Sequence, residues 1–326
     1  MTASRVMANS GYISEEFRQK VLDAARELNY EPNALARVMK GGQTKVIGVV
    51  VNSVHGPVAA DFITALTEEA RKVGMDVVIY TLHNFLNDQA ERRPGKFLRG
   101  MWDGLIYVLP RVRDDYIREL EASPVPVVLI NFFRQTALPV IRGDNFNGAR
   151  DAVNSLIGLG HTRIGFVRGN PLSGQSGERE RGYRQALSDA GLALDEALVV
   201  QGTFDEISGQ EAAKILLALP ERPTAIFCAN DGMAFGCMSV AREMGLDLPG
   251  ELSLIGFDDA QLSRHVQPRL TTLRHPVEPM AEAAVQELMR RIQKQPGQRQ
   301  TMDFPSQLLI RESIAQPAHA RRTGKK

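Results

Sequence analysis

Short apolar segments alternate with longer amphipathic segments along most of this chain. The short segments are rich in valine and isoleucine and do not alternate with polar residues. They are Val46–Val51, Val77–Tyr80, Gly104–Val108, Val127–Ile130, Arg163–Val167, Ala225–Cys228 and Leu252–Phe257. Strands that are buried on both faces of a parallel sheet have this pattern, whereas strands with one exposed face alternate. The sequence therefore predicts parallel β-structure.

The longer segments carry apolar residues at spacings of three or four, as on one face of a helix. In the segment 60–74 these residues are Phe62, Leu66, Ala70 and Val73. Comparable segments are 144–160, 175–191, 208–219, 232–245 and 279–293. Strands and helices that alternate with right-handed crossovers predict a doubly wound α/β fold. The pattern is too long for one compact sheet, so we expect two α/β lobes that face each other across a cleft.

Polar residues follow several of the predicted strands. Ligands of open α/β sheets bind beyond the carboxyl ends of the strands, where planar polar groups bond hydroxyls and aromatic rings stack. The candidate ligand-binding residues by position are Asp144, Arg179, Phe204, Asn230 and Asp258. Each has a plainer alternative, which is a helix cap for the two aspartates and ordinary core for Phe204. We interpret His161, which follows a glycine turn, as structural.

Composition excludes several other classes of protein. The net charge is +1, which gives no global attraction to nucleic acid or membrane. The two cysteines lack the C-x-x-C spacing, so we expect reduced, buried thiols. We see no long apolar run, secretory signal, nucleotide-binding glycine motif or metal-spaced histidine pair. We therefore expect a cytoplasmic protein that is not an enzyme and has no catalytic residue, metal, cofactor or membrane partner.

A helix is predicted upstream of the α/β region, from about Ser14 to Asn29. Ser14 suits the N-cap, and one face of the segment is apolar, with Phe17, Val21 and Leu28. The segment from Pro32 to Lys40 also has helical character, with proline near its start and Gly41 after its end. Helices that short are marginal alone in water, so we expect this one to form only on a partner.

Several motifs stand in one fixed order along the chain. They are TASRV at 2–6, RELNYEPN at 26–33, IGVV at 47–50, DNFNGA at 144–149, LGHTRIGF at 159–166, RERGY at 179–183, AND at 229–231, SLIGFDD at 253–259 and LTTL at 270–273. With these motifs the chain resembles the lactose/galactose repressor family of bacterial transcription regulators over nearly its whole length. The resemblance implies a homodimeric repressor that binds operator DNA and a small-molecule effector, most often a carbohydrate.

The resemblance also assigns DNA-binding residues. These are Thr2, Ser4, Arg5, Tyr30, Asn33, Ala36 and Met39. Arg5 has the donors to form a bidentate pair with guanine, and Ser4 suits phosphate contacts. Met39 stands at the family's usual leucine position, which implies a wedge in the minor groove. The alternative is a frayed first turn followed by a flexible linker.

The headpiece departs from the family at its start. A helix-turn-helix needs a first helix to brace the recognition helix, but Met1 stands where the recognition helix is already under way. We expect a partial, loosely held headpiece and impaired binding to operator DNA, which an in-frame extension would restore. A second departure lies after the first strand, where His55, Pro57, Val58 and Ala59 replace the family's proline and two aromatics. His55 is therefore a candidate effector donor, and the effector is bulkier or is polar and unstacked.

The expected organisation has four parts. A partial all-α helix-turn-helix headpiece spans 1–29, a hinge helix and linker span 30–44, and a disordered tail spans 317–326. The effector-binding and dimerisation domain at 45–316 has the periplasmic-binding-protein-like type I fold, with two doubly wound parallel-sheet lobes. We assign 45–159 and 275–297 to its N-lobe, and 160–274 and 298–316 to its C-lobe. Two alternatives stay open, a periplasmic-type solute-binding protein and a cytoplasmic sugar-binding dimer that has lost DNA binding.

Overall fold

The computed structural model describes most of the chain outside the N-terminal region. The described residues are Val6, 13–28, Tyr30, 43–54, 56–82, 100–111, 116–296 and 301–317. Upstream of the α/β region the described residues include helix α1 (Glu15–Glu27), which agrees with the predicted segment. No residue of α1 is buried by the part of the chain that is described, and Phe17 and Leu28 on its apolar face are 44% and 78% exposed.

The N-lobe is built on a six-stranded sheet in which every described pair is parallel. Its strands are β1 (Val46–Val51), β2 (Asp76–Thr81), β3 (Gly104–Val108), β4 (Val127–Ile130), β5 (Val140–Asp144) and β11 (Thr301–Pro305), in the spatial order β11-β5-β4-β3-β1-β2. Helices α2 (Pro57–Lys72) and α8 (Val277–Ile292) pack in one core with one face of the sheet. Helix α3 (Tyr116–Glu121) contributes to a second core on the other face.

The C-lobe has a four-stranded parallel sheet between two pairs of helices. Its strands are β6 (Ile164–Arg168), β7 (Val199–Gln201), β8 (Ala225–Cys228) and β9 (Ser253–Ile255), in the order β7-β6-β8-β9. Its helices are α4 (Asn145–Gly158), α5 (Gly174–Asp189), α6 (Glu206–Leu217) and α7 (Asp231–Glu243), and they share one hydrophobic core with the sheet. Between the lobes, β10 (Thr272–Arg274) pairs with β12 (Gln307–Leu309) in antiparallel fashion.

Two of the lobe boundaries predicted from the sequence are wrong. The segment 145–159 was expected in the N-lobe, but α4 packs against α5 in the core of the C-lobe. The segment 298–316 was expected wholly in the C-lobe, but β11 pairs with β5 at the edge of the N-lobe sheet. The chain therefore crosses between the lobes after Asp144, after Arg274 and after Pro305. Pro317, expected in the disordered tail, is buried, and the rest of that tail lies outside the described residues.

The structure also shows why some predicted features hold. His161 is buried, with Nδ1 2.8 Å from Thr224 Oγ1 and Nε2 2.9 Å from the carbonyl oxygen of Ala315, so it ties the C-terminal segment to the C-lobe. Both cysteines are free and fully buried, which confirms the expected thiols. None of the described helices has the length and apolar character needed to cross a membrane.

Candidate ligand-binding cleft

A cavity of about 260 Å³ lies between the two lobes, where the carboxyl ends of both sheets meet. Two sets of residues line it. The N-lobe contributes Val51, Asn52, Ser53, Gly56, Val58, Ala59, Val108, Leu109, Pro110 and Arg111. The C-lobe contributes Asn170, Leu172, Ser173, Gln175, Arg179, Phe204, Asn230 and Asp258. The cavity therefore lies where the sequence predicted a ligand site.

Several residues beyond the carboxyl ends of strands have a strained backbone, and three of them, Leu109, Phe204 and Asp258, line the cavity. Five non-glycine residues adopt left-handed φ values just beyond strands β3, β4, β7 and β9: Leu109 (56°), Asn131 (58°), Phe204 (74°), Asp258 (111°) and Asp259 (54°). Such conformations are costly for residues with a Cβ atom and persist only where the surrounding structure holds them. Strain of this kind is common at binding sites.

Arg179 is the central charged group of the cleft. It is 3% exposed, and its guanidinium donates to Asn145 Oδ1 at 2.8 Å, to Asp258 Oδ1 at 3.2 Å and to the carbonyl oxygen of Ala229. The same group lies 3.6 Å from the centre of the Phe257 ring. Burial lowers the pKa of Arg179, and the neighbouring carboxylates oppose that shift. The side chain is thus fixed in orientation before any ligand arrives.

Asp258 and Asp259 are adjacent in sequence but have different environments. Burial raises the pKa of Asp258 to about 6, against the opposing effect of Arg179. Burial also acts on Asp259, but hydrogen bonds from Arg264, Arg311 and Arg274 outweigh it and lower its pKa to about 2. Asp258 therefore belongs to the cleft, whereas Asp259 joins the loop after β9 to the strand that leads out of the lobe.

Phe204 and Asn230 form a second unit in the C-lobe wall. The Phe204 ring lies against Gly169, where an added Cβ would come within 2.0 Å of the ring. Asn230 donates from Nδ2 to the carbonyl oxygen of Phe204 at 2.8 Å, and its Oδ1 accepts from the backbone N–H of Met233 at 3.0 Å. Asn230 thus caps α7 and lines the cavity at once.

Asp144 has the plainer of its two predicted roles. It caps α4, where its carboxylate accepts from the backbone N–H of Asn147 at 2.9 Å and from Asn147 Nδ2 at 2.6 Å. It is not among the described residues that line the cavity, so its predicted contact with a ligand has no support. The neighbouring residue Asn145 has the functional contact instead, because it accepts from Arg179.

Several predicted site residues lie outside the described part of the chain. They are Thr2, Ser4, Arg5, Asn33, Ala36, Met39 and His55. Tyr30 is described and is 56% exposed.

Two further residues of the cleft wall were not assigned to ligand binding from the sequence. Asn52 lies at the end of β1, donates to the carbonyl oxygen of Leu109 at 2.7 Å and accepts from the Tyr107 hydroxyl at 3.2 Å. Gln175, in the first turn of α5, accepts from the Ser173 hydroxyl. A polar residue directly after a buried strand was a usable signal for Asn52. Gln175 had no such signal, because it lies in the first turn of a helix and not directly after a strand.

The lobes touch at both ends of the cleft. At one end an isolated antiparallel β-bridge pairs Arg111 of the N-lobe with Ser173 of the C-lobe. At the other, where the chain crosses between lobes, His275 is 3% exposed, and its Nε2 lies 2.8 Å from Asn131 Nδ2. Asn131 Oδ1 accepts from the backbone N–H of Gly143, so its Nδ2 is the donor and the histidine ring accepts at Nε2. Burial, with a smaller effect from Arg179, lowers the pKa of His275 to about 3, which leaves it neutral.

Two α/β lobes that are joined by three crossings around a cleft lined by both lobes define a two-lobed small-molecule-binding protein. Comparison with known families gives a second, independent result. Residues 1–33 match the family described as bacterial regulatory proteins, lacI family, and residues 153–314 match the periplasmic binding protein-like domain.

Individual relatives match nearly the whole chain. The HTH-type transcriptional regulator GalR of Escherichia coli (strain K12) is 35% identical over 97% of this chain and 92% of its own length. Catabolite control protein A of Priestia megaterium is 31% identical over 96% of this chain and 94% of its own. Among solved structures, the lac repressor dimer bound to operator and the anti-inducer ONPF has a TM-score of 0.85 at 27% identity, covering 96% and 94% of the two chains.

The chain belongs to the lacI family of bacterial regulatory proteins. Its function is ligand-responsive regulation of transcription, and its relatives are transcription regulators, not enzymes.

Proposed function

We propose that this chain is a cytoplasmic, homodimeric repressor that binds a small polyhydroxyl effector in the interlobe cleft and operator DNA through residues 1–44. One observation carries the effector part: the buried Arg179–Asp258 pair is held rigidly at the wall of a cavity between two lobes. A fixed guanidinium and a carboxylate together offer donors and acceptors to neighbouring hydroxyl groups. For operator DNA, the proposed contacts are Thr2, Ser4, Arg5, Tyr30, Asn33, Ala36 and Met39.

The size and lining of the cavity define the effector further. About 260 Å³ is just below the usual range for ligand pockets, which is roughly 300–1,000 Å³. Phe204 is the one aromatic side chain among the described lining residues, whereas Asn52, Asn170, Gln175 and Asn230 supply amide groups. A compact polar compound with one face for stacking, such as a monosaccharide, fits this lining better than a bulky aromatic one. The sequence left open a bulkier effector or a polar effector that does not stack on the N-lobe. The small cavity favours the second, with stacking only on Phe204 of the C-lobe.

Coupling between the sites follows from how the lobes are joined. A ligand shifts an equilibrium between two lobe arrangements only by its difference in affinity for them. The cleft is lined by both lobes, so an effector bound there has such a difference. The linker enters the N-lobe at Thr44, so a change in the angle between lobes alters the spacing of two DNA-binding segments in a dimer.

Two assays test the proposal. Thermal unfolding with a panel of monosaccharides, sugar phosphates and nucleosides should show a rise in Tm with one compound class. In a gel shift the chain should then bind a palindromic DNA fragment, weakly if the headpiece is partial as the sequence predicts, and this compound should change the binding. A cleft that binds none of the panel would contradict the effector part. Effector binding without any DNA binding would favour a sugar-binding dimer that has lost DNA recognition.

A further inference from the structure

The end of the linker is held to the N-lobe by one carboxylate, that of Asp103, and we call its hydrogen bonds to Thr44 and Lys45 the clamp. Asp103, the residue before β3, accepts from the backbone N–H of Thr44 at 2.8 Å and from the Thr44 hydroxyl at 2.9 Å through Oδ1. Its Oδ2 accepts from the backbone N–H of Lys45 at 2.8 Å. Asp103 is separated from these residues by more than fifty positions in the sequence, so these are tertiary contacts that tie the end of the linker to the N-lobe.

The backbone is strained at the same joint. Lys45 has a φ of 59°, in the left-handed region that a residue with a Cβ atom adopts only where its surroundings hold it. Within the described part of the chain, no contact of the Lys45 side chain holds this conformation. The contacts that do are from the backbone, since its N–H donates to Asp103 and its carbonyl oxygen accepts from the N–H of Asp76 at 2.8 Å. The chain thus turns sharply between two strands as it enters the N-lobe.

Asp103 is itself fixed to the N-lobe core. Its backbone N–H donates to the carbonyl oxygen of Val46 at 2.8 Å. The preceding residue, Trp102, is 8% exposed and covers Gly48, where an added Cβ would lie 2.6 Å from the indole ring. The clamp therefore moves with β1 and β3 as one body. The cleft lies at the other end of β3, about 16 Å away for five residues of strand.

We propose that Asp103 is a positioning residue that sets the direction in which the DNA-binding segment leaves the N-lobe. The proposal rests on the proposed function, because it concerns how lobe movement reaches operator DNA. In this role Asp103 contacts neither effector nor DNA. It acts through Thr44 and Lys45, and removal of its carboxylate lets the linker pivot independently of the lobe.

A first experiment needs no DNA. Trypsin cleaves after Lys45 only when the clamp opens, so Asp103→Ala should be cut there about tenfold faster than wild type, given the hydrogen bonds to a charged group that it loses. Asp103→Asn keeps one acceptor oxygen for Thr44 and should be intermediate. Asp76→Ala is the matched control, because it removes an aspartate side chain at the start of the adjacent strand β2 and should be cut like wild type. Thermal unfolding followed by emission of Trp102, the sole tryptophan, shows that each variant keeps its core.

A second experiment measures function in the full chain. Asp103→Ala should bind operator about tenfold more weakly than Asp76→Ala and respond less to effector, with effector affinity unchanged. Equal cleavage of the two variants, or faster cleavage of Asp103→Ala with operator affinity equal to that of Asp76→Ala, would overturn the proposal. If wild type binds no operator, the proposed function fails, and the cleavage comparison still decides whether Asp103 holds the linker.

Discussion

The two walls of the cleft differ in chemistry. The C-lobe wall carries a buried ion pair, an aromatic ring and a capping asparagine, each held by its own hydrogen bonds or packing. The N-lobe wall has more aliphatic side chains, including Val51, Val58, Val108 and Leu109, and three polar ones, Asn52, Ser53 and Arg111. Most of the polar lining residues therefore belong to the C-lobe, and most of the aliphatic ones belong to the N-lobe.

This difference indicates separate roles for the lobes. Groups that are already oriented lose little entropy on binding, so the C-lobe supplies most of the specificity. The aliphatic side chains of the N-lobe wall are stabilised by covering any apolar or weakly polar surface of a ligand. Closure of the lobes should therefore depend more on whether a ligand is bound than on which ligand it is. The N-lobe also holds the linker through Asp103. Under the proposed function, the lobe with the less selective wall is therefore the one that would transmit the signal to DNA.

The ion pair should have the largest effect on effector binding. Asp258→Asn removes the charge that accepts from ligand hydroxyls, and we expect effector affinity to fall about a hundredfold. The variant should still fold, because Arg179 keeps Asn145 and the Ala229 carbonyl as acceptors. Isothermal titration calorimetry measures the affinity, and thermal unfolding checks the fold.

The matched control for that variant is Asp144→Asn. Asp144 also follows a strand and caps a helix, but it lies outside the described cavity lining. Asparagine is as good an N-cap as aspartate, so both stability and effector affinity should stay close to wild type. Similar losses of affinity in both variants would show that the effector does not bind where the buried pair lies.

Phe204 should have the next largest effect. Phe204→Leu keeps apolar volume but removes the flat aromatic face, and we expect effector affinity to fall about tenfold if a ring of the effector stacks there. Calorimetry on a sugar and on its open-chain polyol separates stacking from size, because only the cyclic compound should be sensitive. Equal losses for both compounds would show that Phe204 acts only by filling space.

Most of the fold could be predicted from the sequence because its strands are buried on both faces. The uninterrupted apolar runs gave β1, β3, β4 and β8 with the bounds seen in the structure. Strands β5 and β11 were missed, since β5 ends in Arg142-Gly143-Asp144 and β11 is a partly exposed edge strand. Their position fixes the lobe boundaries, so missing them led to the wrong assignment of 145–159 and 298–316.

The site could be predicted only in part, for a related reason. Strand ends identify Asn230 and Asp258, because their place is set by local structure. Asp144 has the same local pattern, but its carboxylate caps α4 and it lies outside the described cavity lining. Asn145 contacts Arg179 across 34 positions of the sequence, and Gln175 lines the cavity from the first turn of a helix. A sequence carries no local record of either arrangement.

The region where the lobes meet should respond to pH through His275. Its pKa is about 3 in the folded protein, against an ordinary value of 6.5, so its contribution to stability is complete above pH 6.5 and is lost as the pH falls. At about pH 5.5 the unfolded chain binds a proton that the folded chain does not, which costs about 1.4 kcal/mol. Urea unfolding at about pH 7.5 and about pH 5.5 measures this term as the difference between wild type and His275→Gln.

Asp258 acts in the opposite direction over the same range. Its folded pKa of about 6 lies above the ordinary 3.8, so the folded protein takes up a proton first, and this term stabilises it as the pH falls toward 3.8. Between about pH 7.5 and about pH 5.5, the free energy of unfolding of wild type should therefore fall by less than the His275 term alone. In the His275→Gln variant, which lacks that term, the free energy of unfolding should rise. If the free energy of unfolding of His275→Gln changes with pH as that of wild type does, His275 is not held neutral where the chain crosses between the lobes.

The smallest effect is expected on the N-lobe wall. Val58→Ala removes two methyl groups from apolar cover, and we expect effector affinity to fall only about twofold, because the cleft wall is only partly buried there. The effect should be nearly the same for every sugar that binds, whereas Phe204→Leu should change the order of preference. Calorimetry on several sugars with both variants tests this directly. If Val58→Ala reorders the sugars and Phe204→Leu does not, selectivity lies in the N-lobe, and the C-lobe serves mainly as an anchor.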